Sequence, residues 1–92
     1  MKNQQLEGIQ MYGVRIHRAM TNASKSFDDV VASSGLASNR LSRLLKGEGK
    51  SCTVDDISKI CTACGILLVD FFDDVDQKDI DSWKVFLSKN QE

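Results

Sequence analysis

Ser38, Asn39, Arg40 and Arg43 are four hydrogen-bonding side chains within one short stretch, and their types match what the edges of DNA bases offer. Arginine can donate two hydrogen bonds to O6 and N7 of guanine, and asparagine can pair with N6 and N7 of adenine. Each such contact carries roughly 1–3 kcal/mol of discrimination against a wrong base. Ser38 suits a base or a phosphate, and Arg43, one turn beyond Asn39, can reach a base or the backbone. Ser42, Lys46 and Lys50, the amides of the loop 47–49, and Lys25 upstream are candidate phosphate ligands, which set register without reading sequence. The competing reading is a plain solvated helix face. The elements that carry these residues decide between the two.

Residues 26–47 read SFDDVVASSGLASNRLSRLLKG. Phe27, Val30 and Val31 mark the buried side of a short helix ending near Ser33, and Gly35 supplies the left-handed conformation that stops it. Leu36 turns inward at the corner. A second short helix from about Ser38 to Lys46 buries Leu41, Leu44 and Leu45, leaving Ser38, Asn39, Arg40, Ser42 and Arg43 outward. This is the layout of a helix-turn-helix, whose second helix enters the major groove. The expected ligand is double-stranded DNA.

Around this pair, Leu6, Ile9, Tyr12 or Gly13, Ile16, Met20 and Ala23 recur at helical spacing and predict a first helix from about Gln5 to Asn22, with Arg15 and Arg18 on its exposed face. Ser26 and Asp29 resemble a capping box with Asp in place of Glu. Thr53 caps a fourth helix with Asp55 and Asp56 against its N-terminal dipole, an apolar stripe of Val54, Ile57, Ile60, Cys61 and Cys64, and Gly65 at its end. The run 66–72 reads as a buried strand or a short fifth helix, and the lack of a partner strand favours the helix. From Lys78 to Ser88, Ile80, Trp83 and Leu87 outline a sixth amphipathic helix, too short to stand alone and therefore docked. The expected fold is all-α. Residues 1–11 form an N-terminal arm and the start of helix one, 12–73 a DNA-binding domain, and 74–92 a helical extension and candidate dimerisation element.

At 92 residues and 41% hydrophobic, the composition fits one small globular domain. The net charge of −1 is unevenly placed: residues 1–50 carry eight Lys/Arg against four acids, and 51–92 four Lys against nine acids. A basic half and an acidic half suit one face for DNA and one turned away. The apolar run from Ile66 to Val69 is far too short for a membrane span, and MKNQQLEG lacks a signal peptide's apolar stretch, so a cytoplasmic protein is expected. Three cysteines argue against a disulfide framework. Cys61 and Cys64 form a C-x-x-C that, with Cys52 and His17, invites zinc or redox chemistry, yet on a helix they share the buried face and read better as small core residues. His17, read as an exposed side chain, has no partners for catalysis, and the acidic stretch from Asp70 to Asp81 lacks the Gly and terminal Glu of a calcium loop. No enzymatic activity, metal or cofactor is expected.

Gly13-Val14-Arg15-Ile16, Ser26-Phe27-Asp28-Asp29-Val30-Val31, Gly35-Leu36, Leu41-Ser42-Arg43-Leu44 with Gly47, Val54-Asp55-Asp56-Ile57, Lys59-Ile60, Ala63 to Ile66 and Phe71-Phe72 follow one another in a characteristic order. In these residues, from about Tyr12 to Asp73, the chain resembles the Cro and phage-lambda-repressor-like helix-turn-helix family, also called the xenobiotic-response-element type. The resemblance implies a five-helix DNA-binding domain, here with an additional short C-terminal helix. It also implies a transcriptional regulator, a repressor in the first reading, bound as a homodimer to a pseudo-palindromic operator with half-sites about 34 Å apart. Phe27 stands where the family often has Gln bracing a phosphate contact. Ala37 stands where it caps helix three with Ser or Thr, which leaves Ser38 as the expected cap, and Cys52 replaces a common Pro. Leu67 and Val69 are apolar where the family tends to be polar. With Phe71, Trp83, Phe86 and Leu87 they make an expected dimer interface. The alternative is an antitoxin-like interaction module whose acidic, aromatic C-terminal part holds a partner protein.

Overall fold

Among the residues that the computed structural model describes, 8–48 and 52–89, the chain forms α1 (Gly8–Ala23), α2 (Phe27–Ser34), α3 (Ser38–Leu45), α4 (Val54–Cys64), α5 (Leu68–Phe71) and α6 (Gln77–Lys89). No strand occurs among the described residues, and the ambiguous run 66–72 contributes the short helix α5. The part of helix one expected before Gly8, and the N-terminal arm, lie outside the described residues.

Reciprocal caps fix where three helices begin. Ser26 Oγ accepts the Asp29 N–H at 3.1 Å while the Asp29 carboxylate accepts the Ser26 N–H at 3.0 Å. Thr53 and Asp56 repeat the exchange at α4, at 3.1 and 3.0 Å. Asp76 and Asp79 do so at α6, at 3.0 and 3.2 Å. Each box satisfies two donors that a helix start leaves without partners. The turn between α2 and α3 closes at Gly35, whose φ of 79° is readily adopted only by a residue without a Cβ.

The main core lies between α1 and α2–α5. Ile16 and Met20 pack there with Val30, Leu36, Leu41, Leu44, Leu45, Ile57, Ile60 and Phe71, and Cys61 and Cys64 fill small spaces among them. A second, smaller core holds α6 to another side of α1 through Val14, Ile80 and Trp83. The sixth helix is thus docked on its own domain.

Helix α6 also reaches α3. The Trp83 indole N–H donates to the Leu45 carbonyl at 2.7 Å, inside the protein, in the last turn of α3 where carbonyls lack helical partners. Gly13 makes the approach possible. A Cβ at that position would sit 2.8 Å from the same carbonyl oxygen and 3.1 Å from the indole nitrogen.

Three expectations about exposure are corrected. Val54 is 70% exposed, because the first turn of α4 points it away from the core. His17 is half-buried, with its ring 4.9 Å from that of Phe86. Arg15 and Arg18 do not project into solvent but reach over to the α5–α6 junction. Arg18 donates to the carbonyls of Phe71, Asp73 and Asp74 at 3.2, 3.0 and 2.6 Å and pairs with Asp79 at 3.4 Å. Arg15 donates to Phe71 and Asp73 and lies over the Phe72 ring.

Gly13→Ala is expected to cost about 1–3 kcal/mol, since the crowded neighbour is backbone and cannot swing aside. Trp83→Phe is expected to cost about 1–3 kcal/mol for the buried carbonyl left without its donor. Urea unfolding of each variant checks both. Burial lowers the His17 pKa from its ordinary 6.5. The unfolded chain therefore takes up a proton first as pH falls, and stability drops below about pH 6.5 until the folded pKa is reached. A His17→Phe variant should lose that part of the pH dependence in thermal melts between pH 7.5 and 5.

Candidate nucleic-acid interface

The surface of α3 follows from its three leucines. Leu41, Leu44 and Leu45 are buried to the last percent, which turns Ser38, Asn39, Arg40 and Arg43 outward and leaves Ser42 half-buried. The helix begins at Ser38. Ala37 occupies the N-cap in an extended conformation without a side-chain bond, so Ser38 is the first helical residue and not the cap that the sequence led us to expect. Its hydroxyl and the Asn39 amide stand together at the exposed N-terminal end of the helix, where a groove-reading helix presents its first contacts.

Arg40 has a partner that sequence spacing did not reveal. Its Nε lies 3.4 Å from Asp56 Oδ1, and its Nη2 donates to Asp56 Oδ2 in a short, paired contact between α3 and the first turn of α4. The Arg40 side chain stays 42% exposed, whereas that of Asp56 is 8% exposed. Burial alone would raise the Asp56 pKa, but the hydrogen bond from Arg40, the two bonds with Thr53 and the Arg40 charge together hold it below the usual carboxylate range. The same pairing raises the Arg40 pKa above its ordinary value.

The candidate phosphate ligands surround this helix unevenly. Lys25 precedes α2 and Lys46 closes α3, both exposed, while Lys50 lies outside the described residues. Ser42, Lys46, Phe27, Leu45 and Phe86 line one open cleft beside the end of α3. Acids stand in the first turns nearby: Asp28 and Asp29 on α2, Asp55 and Asp56 on α4. They complement the positive ends of those helices, which are thereby less available to phosphate.

Of the residues expected at a dimer interface, Leu67 and Val69 are each 67% exposed, and Leu68 and Phe72 extend the same apolar segment. Phe86 and Leu87 are half-buried. Phe71 and Trp83 are 1% and 3% exposed, being built into the two cores of their own domain, so neither side chain has surface to offer a partner. The buried Cys61 and Cys64 thiols are pushed up by burial, and Cys52, half-buried beside Asp56, is pushed up to about 11 by burial and the nearby carboxylate. Such thiols are poor nucleophiles near neutral pH. Among the described residues no three His, Cys, Asp or Glu side chains converge on a metal position, and no helix is long and apolar enough to cross a membrane.

A family model for the Cro/C1-type HTH DNA-binding domain matches residues 15–77. The match covers the second half of α1 and all of α2 to α5, and stops at the first residue of α6. No curated protein sequence matches the chain significantly.

Asp56→Ala removes the carboxylate half of the α4 capping box and a partner of Arg40. Because the native Asp56 pKa is depressed, its contribution to stability is present above the unfolded value near 3.9 and fades as pH falls through the folded value. The melting temperature of Asp56→Ala should lie below wild type at pH 7, with the gap narrowing below about pH 4.

Proposed function

Because the chain belongs to the Cro/C1-type helix-turn-helix DNA-binding family, we propose that it is a non-enzymatic transcriptional repressor acting in the cytoplasm. It occupies a pseudo-palindromic operator as a homodimer. Helix α3 lies in the major groove with Ser38, Asn39, Arg40 and Arg43 at base edges, while Ser42, Lys25, Lys46 and Lys50 hold phosphates. The observation that carries this reading is the amphipathic split of α3, which seats three leucines in the core and presents short polar and basic side chains at its N-terminal end. Leu67 and Val69, exposed on and beside α5, form the centre of the dimer contact.

One further reading has support of its own. Exposed Leu67, Val69 and Phe72 stand close in sequence to Asp70, Asp73, Asp74 and Asp76, an apolar and acidic combination that suits a basic partner protein. In that case the protein is an antitoxin-like module, and DNA contact is secondary.

Selection of bound fragments from genomic DNA at about 150 mM salt separates the two, since phosphate-only binding fades steeply by then. Enrichment of one short two-fold motif supports the repressor. No enrichment from folded protein supports the partner-binding module. On an enriched operator, Asn39→Ala is expected to weaken binding by roughly 1–3 kcal/mol per half-site and to relax preference at one base pair. Lys46→Ala should weaken binding to all sequences alike and reduce the salt slope by about one per subunit. Leu67→Glu combined with Val69→Glu should sediment as a monomer and lose the two-fold motif.

A further inference from the structure

The contact between Arg40 and Asp56 uses two of the five guanidinium N–H groups, one on Nε and one on Nη2. The terminal edge, formed by Nη1 and the second Nη2 hydrogen, is a separate one, and two parallel donors there match O6 and N7 of guanine. The side chain remains 42% exposed in the N-terminal half of α3. An arginine can thus lie on a carboxylate along one edge and on a base along another. Asp56 is itself fixed at the start of α4. Its carboxylate is 8% exposed and accepts the Thr53 N–H at 3.0 Å, and its own N–H donates to Thr53 Oγ1 at 3.1 Å. A long side chain loses rotamer freedom when it settles on a base, and a partner that orders it beforehand lowers that cost. Resting on the DNA-reading function above, we infer that Asp56 is a positioning residue for base choice, which keeps its contact with Arg40 in the complex and aims the terminal edge of the guanidinium at one guanine per half-site. Asp56 touches no base. Arg40 has a further interaction of its own, so the task of the acid is to set the plane of the guanidinium, beyond holding the side chain near α3.

Three variants separate aiming from reading. Arg40→Lys keeps a cation beside Asp56 but has no planar fork to serve an acid and a base at once. Guanine preference should therefore fall about tenfold at one half-site position and stay unchanged elsewhere. Asp56→Asn keeps an amide oxygen for the Thr53 N–H but exchanges a charged pair of acceptors for a single neutral one. The guanidinium is then aimed less firmly, and preference should fall roughly threefold at that same position. In the double variant the loss there should equal that of Arg40→Lys alone, since the acid acts through the arginine. An acid that only stabilised the fold would single out no position.

The test measures relative affinity for operators carrying each base at each half-site position, for wild type and the three variants, with circular dichroism to confirm folding. The inference stands if Asp56→Asn weakens guanine preference at the position marked by Arg40→Lys and adds nothing there in the double variant. It is overturned if Asp56→Asn keeps full preference at that position, if the two losses add, or if the loss is spread over all positions. Should Asp56→Asn fail to fold, NMR of the wild-type operator complex decides. The Arg40 Nε–H stays protected from exchange with water if the acid keeps its hold, and loses protection if the arginine leaves the acid to reach the base. Failure of the underlying DNA reading looks different: wild type then enriches no motif, or Arg40→Lys changes no position, and either result overturns base reading by Arg40 itself.

Discussion

The hydrogen bond from Trp83 to the Leu45 carbonyl, made through the gap at Gly13, joins three helices at one point. It comes from α6, passes beside α1 and ends on the last turn of α3. Helix α3 is short, with its three leucines on one side, and a helix of that length has little stability of its own. Its orientation therefore comes from what it is fastened to. One end is held by Trp83 and the other by the Arg40–Asp56 pair. Between those two fastenings lies the face on which Ser38, Asn39 and Arg43 are displayed.

Several charged side chains of this protein serve its internal assembly. Arg15 and Arg18 grip carbonyls and an acid at the α5–α6 junction, and Arg40 is held by a buried acid. These three belong to the basic half of the sequence, so the excess of positive charge there is larger than the excess available to a ligand. The acids are engaged too. Asp29, Asp56 and Asp79 each close a helix cap, and two of them also meet an arginine. What remains around α3 is a lean set of cations bordered by carboxylates. Such a surface offers few cations for general attraction to phosphate.

Most of the fold was legible because its signals are local. Ser26 with Asp29, Thr53 and Gly35 announced helix ends, and Leu41, Leu44 and Leu45 announced the buried side of α3. The family model, matching residues 15–77, agrees with the resemblance carried by those residues. What escaped was non-local. Apolar periodicity sorts hydrophobic residues by face but does not say where a long polar side chain goes, so Arg15 and Arg18 were read as solvent-facing. Nor does it say which apolar residues remain uncovered after folding. Phe71 and Trp83 went to the cores, while Leu67 and Val69 stayed outside. The Asp56 partner of Arg40 lies on another helix, and no spacing rule within α3 points to it.

The region matched by the family model ends at residue 77, where α6 begins. The folding unit does not end there. Val14 rests on Ile80 and Trp83, and the last carbonyl of α3, that of Leu45, takes its donor from α6. A helix-turn-helix excised at that boundary and joined to another protein would arrive with one flank of α1 stripped and α3 unfastened at one end. In this chain the transplantable cassette is larger than the motif by which it is recognised. Its last helix is the portion that any recombination, natural or engineered, has to carry along.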